Sequence, residues 1–350
     1  MKIGIIGCGM ISEQHLAAAT SYAGSQVVGI VDLDIARARA QAARFSVKQT
    51  FDDITGLLAL KPDVVHVLTP PGLHESVTLT ALAAGAHVYV EKPMATSVAA
   101  CKRMASAALA ANRQICVGHN LVYSPAMIQA QELLASGRAG DVVQAAASFN
   151  YDVRRNPNFG KDHWAKNLPG GLAEDLAVHP VALLTRLLGT PQRTFAVTRT
   201  GSPMPEGQTV DIRALLDAER GLGTLSVSLR ARPDVVLLDI WCERMLLRLN
   251  ISSMTLTTVR DLPFPRMIAR GLSNIDIAAQ LVGATASATW KLLRRKVDGS
   301  NGIVPLIHAY YSALESGRPA PVGPTEGTHA VSVLRSIWPA PEAAVLGAAV

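Results

Sequence analysis

The segment KIGIIGCGMIS, residues 2–12, carries the strongest structural signal in this sequence. An apolar run of strand type enters a glycine turn, and good helix formers follow from Ser12 to Ala19. In such a strand, turn and helix, the first glycine permits the turn, the second lets the backbone approach a pyrophosphate, and the helix N-terminus faces the negative charge. The third position usually takes Gly or Ala, and Ser12 is small enough to replace it. The segment therefore predicts a dinucleotide site.

A second apolar strand, Gln26 to Val31, ends in Asp32, where a carboxylate is expected to meet the adenosine ribose hydroxyls. A carboxylate at this position favours the ribose hydroxyls and repels a 2′-phosphate, and Leu33 offers no compensating charge. We therefore expect NAD as the cofactor, with NADP less favoured. The cofactor-binding residues predicted from these two strand ends are Gly7, Gly9, Met10, Ile11 and Asp32.

Composition limits the class of protein. A chain of 350 residues, 49% hydrophobic and 17% charged, suggests a globular protein of about two domains. The net charge of +6 fits either an ordinary basic surface or an acidic ligand. Nucleic-acid binding is not expected, because aromatic residues are only 5% and no block of five Lys or Arg occurs.

Cysteine use and hydropathy indicate the environment. The four cysteines include no CxxC pair, so neither a metal site nor a disulfide framework is expected. Because the first strand begins at Lys2 and no apolar run has membrane-spanning length, we expect no signal peptide and no membrane association. The expected location is the cytoplasm.

Strand-like and helix-like segments alternate over residues 1–120, which predicts a doubly wound parallel sheet of Rossmann type covered on both faces. Residues 121–350 show a different pattern, which is clearest from Thr224 to Arg230, where apolar and polar residues alternate. They predict an α+β domain for substrate binding, with a mainly antiparallel, open-faced sheet. The open face needs cover, so we expect a homodimer or homotetramer formed through it.

Two predicted strands end in segments suited to chemistry. One runs into the turn Thr69-Pro70-Pro71-Gly72-Leu73-His74, and the next into Glu91-Lys92-Pro93. The carboxyl ends of parallel strands line the ligand crevice, so both segments should lie beside the cofactor. A lysine near the cofactor's fixed charge can have a lowered pKa, or it can orient a substrate hydroxyl. The alternative is a surface lysine after an edge strand.

The segment LPGGLAEDLAVHP, residues 168–180, ends a loop and begins a helix. Asp175 and His179 are four residues apart and so share a helical face, where the carboxylate can orient the imidazole. Histidine is the natural general base for a hydroxyl proton near neutral pH. A purely structural Asp/His pair is the alternative.

Together these motifs, with His15 in the first helix and the late segment Leu306 to Leu314, resemble the Gfo/Idh/MocA family of NAD(P)-dependent sugar and inositol oxidoreductases. The resemblance covers nearly the whole chain. It implies Lys92, Asp175 and His179 as the catalytic trio. It also implies contacts to the nicotinamide half from Thr69, Pro70 and Glu91, and His74 of the same turn is a further cofactor-binding candidate.

The basic loop from Tyr151 to Lys166 precedes the predicted catalytic helix and could grip a phosphate or carboxylate while an aromatic ring stacks on a sugar. It could equally be a surface loop or a subunit contact. The substrate-binding candidates are Tyr123, Arg154, His163, Trp164 and Lys166.

The expected activity is hydride transfer between NAD and a secondary hydroxyl or ketone of a sugar, nucleotide-sugar or cyclic polyol, and the substrate could carry phosphate. Two alternatives remain open. One is an NAD-dependent glycosidase that works by transient oxidation, and the other is a non-catalytic regulator that binds the dinucleotide.

Overall fold

The computed structural model describes residues 1–155, 163–293 and 302–339. Its strands are β1 (Lys2–Ile6), β2 (Gln26–Val31), β3 (Thr50–Phe51), β4 (Val64–Val67), β5 (His87–Val90), β6 (Ile115–Val117), β7 (Val142–Asn150), β8 (Pro191–Thr200), β9 (Thr209–Ala218), β10 (Gly221–Ser228), β11 (Val235–Cys242), β12 (Met245–Asn250) and β13 (Thr255–Arg260). Its α-helices are α1 (Ser12–Ser21), α2 (Ile35–Phe45), α3 (Ile54–Ala59), α4 (His74–Ala83), α5 (Val98–Ala110), α6 (Pro125–Ala135), α7 (Gly171–Leu188), α8 (Arg266–Leu293), α9 (Ile303–Glu315) and α10 (Pro324–Ile337).

The first of two compact units comprises Met1–Tyr123 and Ser300–Val331. Its sheet has six parallel strands in the order β3-β2-β1-β4-β5-β6. The strand order reverses between β1 and β4, and this reversal point is where open α/β sheets bind ligands at their carboxyl ends. The prediction of a doubly wound parallel sheet is confirmed.

Small residues let one helix approach this sheet closely. Gly4 of β1 and Gly29 of β2 are partners in the parallel ladder. A Cβ atom would lie 2.8 Å from a methyl carbon of Leu57 at Gly4 and 2.9 Å from one at Gly29. The paired glycines therefore form a slot that the fully buried Leu57 side chain of α3 fills.

Helix α9 belongs to the first unit by its contacts, although it follows the second unit in the chain. Leu306, Ile307, Tyr310 and Tyr311 are fully buried in the same core as the parallel sheet. The division expected at residue 120 assigned these residues to the second domain. The structure differs because the apolar face of α9 is buried against α1 and the first core.

The second unit comprises Ser124–Gly299 and Ser332–Val350. Its sheet has seven strands in the order β13-β12-β11-β7-β10-β9-β8. β7 and β10 pair in parallel, and the other neighbouring strands are antiparallel. Helix α7 packs against β7, β10 and β9, and α8 packs against β13. The prediction of a mainly antiparallel sheet is confirmed.

The opposite face of this sheet is open. The strand register places a row of partly or largely exposed apolar side chains on it: Phe195, Val197, Leu215, Leu222 and Leu237. Helix α8 also exposes apolar side chains, among them Met267, Ile275 and Val282. The open face predicted from alternating residues is therefore present and is apolar in part.

One strand of the first sheet escaped prediction. β3 has only two residues, Thr50 and Phe51, which pair with Ile30 and Val31 of β2. Two residues are too few to show the alternation by which strands are found in sequences. Its position at the sheet edge comes from tertiary contacts.

We expect Leu57→Ala to destabilise the protein by about 2–5 kcal/mol, because it empties the slot over Gly4 and Gly29. The measurement is urea-induced unfolding followed by circular dichroism. The matched control is Leu109→Ala on α5, whose side chain is 84% exposed. We expect this control to change stability by less than about 0.5 kcal/mol. Equal effects of the two substitutions would contradict the packing described for Leu57.

Candidate functional site

The turn between β1 and α1 requires glycine at residue 7. Gly7 has a φ of +100°, and a Cβ atom there would lie 2.8 Å from the carbonyl oxygen of Leu68. Its N–H donates to the carbonyl oxygen of Val31 over 2.8 Å. The end of β1 is thus held directly against the ends of β2 and β4, and no side chain fits between them.

The second glycine of the turn has a different role. A Cβ atom at Gly9 would meet nothing within 4 Å, so the backbone faces open space there. Ser12, at the third position of the motif, is fully buried, and its hydroxyl donates to the carbonyl oxygen of Gly9 over 2.7 Å. Met10 is exposed and Ile11 half-buried beside this space. The turn fits a pyrophosphate, which needs close approach to the backbone at a helix N-terminus.

Asp32 is held firmly at the carboxyl end of β2. Its Oδ2 accepts the N–H of Cys8 over 2.6 Å, and its Oδ1 accepts the N–H of Asp34 over 2.8 Å. Each carboxylate oxygen keeps lone-pair capacity for a further donor. Exposed Leu33 follows it. These carboxylate acceptors suit the two ribose hydroxyls of NAD, which can donate to them, better than the 2′-phosphate of NADP.

His74 joins the two strand-end segments after β4 and β5. Its Nε2 lies 2.7 Å from the carbonyl oxygen of Thr69, and its Nδ1 lies 2.9 Å from that of Pro93. Burial lowers the pKa of His74, and the two carbonyl oxygens oppose that shift. The expected direct contact of His74 with the cofactor is therefore not what the structure favours, because the ring is buried and both nitrogens face the protein's own backbone. Its side chain instead fixes the segments that carry the other candidates.

Glu91 and Lys92 follow β5 and are half-buried. The Glu91 Oε1 lies 3.1 Å from His15 Nε2, and its Oε2 accepts the N–H of Lys92 over 3.2 Å. Burial alone raises the pKa of Glu91, but the hydrogen bond and charge of His15 and the charge of Lys92 lower it overall. Glu91 is therefore a carboxylate at neutral pH.

Two buried polar groups lie beside these candidates without a hydrogen-bond partner in the described residues: Thr69 Oγ1 and the His119 ring. Thr69 follows β4, and His119 follows β6 by two residues. Such groups are costly unless they are satisfied in the functional state. Together with the space at Gly9 and the oriented Asp32, they indicate that this edge of the first unit fits a dinucleotide.

His119 was missed in the sequence analysis. Its pKa is lowered to about 4, mainly by burial, so the ring is neutral at physiological pH. Its electrostatic neighbours include Glu91 and Lys92. A histidine just after a glycine at the end of a predicted parallel strand was the available signal. The structure adds it to the groups at the carboxyl edge of the sheet.

In the second unit, α7 carries Asp175 and His179 one turn apart on one face. The Asp175 side chain is buried, and the His179 ring stacks on Phe149 of β7 with 5.9 Å between ring centroids and an interplanar angle of 11°. Stacking fixes the plane of the imidazole. The helix thus holds a buried carboxylate and an imidazole of fixed plane one turn apart.

Arg154, one of the substrate-binding candidates, is paired with a carboxylate of its own chain. Arg154 forms a bidentate pair with Asp152, with both N–O distances 2.7 Å, and Asp152 also accepts from Arg232. The Arg154 guanidinium holds the pKa of Asp152 well below its usual range. Arg154 is thus committed in part to its own chain, which leaves it fewer donors for an anionic substrate than we expected.

The remaining candidates are placed as follows. The rings of His163 and Trp164 are 5.3 Å apart at the start of a short 3₁₀ helix, Trp164–Asn167, which also carries exposed Lys166. Residues 156–162 of the basic loop lie outside the described residues. Tyr123 belongs to the first unit and packs against its core.

The residues that the structure describes contain neither a metal-binding cluster nor a membrane-spanning helix. There, no three His, Cys, Asp or Glu side chains come together in a way that could hold a metal ion. No helix among the same residues has the length and apolar character needed to cross a bilayer.

We expect Gly9→Ala to weaken NAD binding by at least about tenfold, since the added methyl group enters the space where the pyrophosphate must approach the backbone. Because nothing in the protein lies within 4 Å of that methyl position, the unfolding temperature without cofactor should not change. Isothermal titration calorimetry and thermal unfolding measure the two effects. Tight NAD binding by this variant would rule out the proposed position of the pyrophosphate.

Comparison with known proteins agrees with this geometry. Residues 1–119 match the family model described as an oxidoreductase family with an NAD-binding Rossmann fold. Residues 127–248 match the C-terminal domain model of the Gfo/Idh/MocA family. The two matches correspond to the parallel sheet and to most of the second sheet.

Individual relatives are more distant. The chain is 30% identical over 226 residues to an inositol 2-dehydrogenase of Gluconacetobacter diazotrophicus, covering 63% of this chain and 65% of the relative. It is 31% identical over 232 residues to inositol 2-dehydrogenase 2 of Saccharopolyspora erythraea, covering 63% and 64%. The matched region thus spans just under two thirds of the length of these relatives.

Among solved structures, a levoglucosan dehydrogenase in complex with NADH and levoglucosan shares the fold, with a TM-score of 0.77 and 18% identity. The match covers 96% of both chains. The chain therefore belongs to the Gfo/Idh/MocA family, and the glycine turn, Asp32 and the strand-end segments lie in its NAD-binding Rossmann domain.

Proposed function

We propose that this protein is an NAD-dependent oxidoreductase that transfers a hydride between the nicotinamide and a secondary hydroxyl or ketone of a sugar or cyclic polyol. The observation that carries the proposal is the carboxyl edge of the first sheet. There Asp32, Thr69, Glu91, Lys92 and the turn at Gly9 supply a set of groups suited to a dinucleotide. Membership of the family supports the same activity.

His179, Asp175 and Lys92 each have a distinct role in the proposed transfer of the proton and the hydride. NAD, when bound, supplies the carbon that accepts the hydride. His179 takes the hydroxyl proton on its imidazole, and its stacking on Phe149 keeps the ring in one plane. Asp175, one helical turn earlier, orients that ring or the substrate. The Lys92 ammonium donates to the reacting oxygen and stabilises the negative charge that develops as the proton leaves.

The names of the relatives and one residue of the second unit support the proposed substrate class. The inositol 2-dehydrogenases and the levoglucosan dehydrogenase are named for cyclic polyhydroxylated compounds. Trp164 offers an aromatic face on which a sugar ring can stack. Because Arg154 is paired with Asp152, we rank a neutral polyol or sugar above a nucleotide-linked or otherwise phosphorylated one.

We expect Lys92→Ala and His179→Ala each to lower kcat by about 10²–10⁴-fold, as loss of a general acid or base does. NADH formation at 340 nm would be followed with a panel of inositols, free sugars, anhydrosugars and UDP-sugars. The matched control is Lys102→Ala on α5, an exposed lysine in the same unit as Lys92. NAD binding by His179→Ala should be unchanged.

Two outcomes would contradict the proposal. Release of an aglycone from a glycoside without net NADH formation would identify the glycosidase alternative. Tight NAD binding without turnover of any compound would favour a regulator, above all if Lys92→Ala and His179→Ala retained the biological effect.

We also propose that the protein forms a homodimer or homotetramer through the open face of the second sheet. Support comes from the five apolar side chains on that face, where Val197 is 74% and Phe195 57% exposed. Exposed apolar surface of this kind is costly in water unless a partner covers it. A second copy of the chain can offer the same surface around a two-fold axis.

Replacing Val197 and Leu222 together by Glu should convert the oligomer to monomers, because the charges would be buried at the interface. Sedimentation velocity at several protein concentrations measures the change. Leu109→Glu, which places the same charge on an exposed apolar position of the first unit, should leave the oligomer intact. A monomeric unaltered protein would refute this interface.

A further inference from the structure

A chain of hydrogen bonds runs from Glu91 into the core of the first unit. Glu91 Oε1 lies 3.1 Å from His15 Nε2, and His15 Nδ1 lies 2.9 Å from His66 Nδ1. The other nitrogen of His66, Nε2, lies 2.7 Å from the hydroxyl of Tyr311. The four residues come from α1, β4, α9 and the segment after β5, so the chain joins elements that are far apart in the sequence.

With Glu91 ionised and both imidazoles neutral, one arrangement of protons satisfies the chain. A carboxylate can only accept, so His15 carries its proton on Nε2 and presents a lone pair at Nδ1. His66 must then carry its proton on Nδ1, which leaves Nε2 to accept from the Tyr311 hydroxyl. Burial lowers the pKa of His66 well below its ordinary value, which keeps this ring neutral. Each group therefore donates towards Glu91.

Packing holds the chain in place. His66 stacks on Tyr89 with 5.0 Å between centroids, and His15 meets both rings edge-on. His15, His66 and Tyr311 are fully buried. Among the residues that the structure describes, the chain ends at the buried Tyr311 hydroxyl. It can orient Glu91 and hold it in the ionised form.

The position of the Glu91 carboxylate allows its charge to act on the bound cofactor. Glu91 follows β5 but reaches α1, the helix after β1, so its carboxylate lies on the side of the reversal point between β1 and β4. On the proposed function, on which this inference rests, the nicotinamide lies beside that segment. The oxidised ring carries a positive charge and the reduced ring does not, so a nearby carboxylate favours NAD⁺ over NADH.

We propose that His15, His66 and Tyr311 are positioning residues that keep Glu91 an oriented carboxylate and thereby set the relative affinity for NAD⁺ and NADH. Tyr311 decides the proton order, since its hydroxyl hydrogen makes His66 Nε2 an acceptor. Without that hydrogen, His66 Nε2 has no partner in either proton order. The reversed order, in which Glu91 is protonated and donates to His15, then leaves as many groups unsatisfied as the order with an ionised Glu91. The preference for the carboxylate is then reduced.

Several ionisable groups surround Glu91 without belonging to the hydrogen-bond chain, and of these Tyr89 also feels the charge of Tyr311. Lys92 is the neighbour of Glu91 in sequence, and His74, Tyr89, Cys116 and His119 feel the charge of Glu91. None of them is a member of the hydrogen-bond chain. A change in cofactor preference caused by Tyr311→Phe therefore reports on the chain itself.

The experiment measures the dissociation constants of NAD⁺ and NADH by calorimetry for the unaltered protein, Glu91→Gln, Tyr311→Phe and Tyr310→Phe. The ratio of the NADH constant to the NAD⁺ constant should fall about tenfold in Glu91→Gln. It should fall about threefold in Tyr311→Phe, as loss of one buried hydrogen bond implies. A threefold fall in this ratio raises the reduction potential of the bound couple by about 14 mV.

Tyr310→Phe is the matched control. Tyr310 is the preceding buried tyrosine on α9, and its hydroxyl lies within 3.1 Å of two backbone carbonyl oxygens, those of Val88 and Gln114. Both tyrosine variants lose a buried hydroxyl and should unfold at a lower temperature. Only Tyr311→Phe should change the ratio of the two dissociation constants. In the double variant Glu91→Gln/Tyr311→Phe the ratio should equal that of Glu91→Gln.

The possible failures are distinguishable. If Glu91→Gln leaves the ratio unchanged, the nicotinamide does not lie beside Glu91, and the placement in the proposed function is wrong. If Glu91→Gln changes the ratio but Tyr311→Phe does not, the chain fails as a positioning device while the proposed function stands. Equal changes in Tyr310→Phe and Tyr311→Phe would show a general loosening of α9 and would also overturn the inference.

Discussion

The close approach at Gly7 is the constraint on which the first unit depends. The Gly7 N–H donates to the end of β2, and its Cα faces the Leu68 carbonyl at the end of β4. Three strand ends therefore meet without an intervening side chain. Asp32 and Thr69 follow two of those ends, so the same contact that permits the turn also sets where these side chains stand. A larger residue would separate the strands and move the candidate cofactor groups together with them.

A buried polar chain in such a core is costly unless every member is satisfied. With both imidazoles neutral, a single proton order satisfies Glu91, His15, His66 and Tyr311, and the carboxylate at its end lies at the carboxyl edge of the sheet. A segment from late in the chain satisfies the last member, because α9 supplies the Tyr311 hydroxyl that bonds to His66. This dependence explains why the Rossmann unit is not a continuous stretch: its core and its site both need residues that follow the second sheet.

The second unit uses its sheet in a different way. Its core lies on the face that α7 covers, and α7 is buried over most of its length. Near the start of that helix, buried Glu174 pairs with Arg335 and accepts the N–H of Gly170, so the turn before α7 is anchored. Asp175 and His179 thus stand on a helix that cannot shift freely. The opposite face keeps apolar side chains exposed, so one face of the sheet is packed against α7 and the other is open.

The sequence by itself determined the elements whose signals are local. The glycine turn, Asp32 after a strand, the strand-end Glu91-Lys92 and the Asp175/His179 spacing were all readable, because each depends on neighbours within a few residues. Only the tertiary structure decided the rest: the two-residue β3, the return of α9 to the first core, the pairing of Arg154 with Asp152 and the buried ring of His119. The chain from Glu91 to Tyr311 joins residues 220 positions apart, and such contacts leave no periodic pattern in either segment. They arise only when burial brings distant polar groups together and obliges them to satisfy one another.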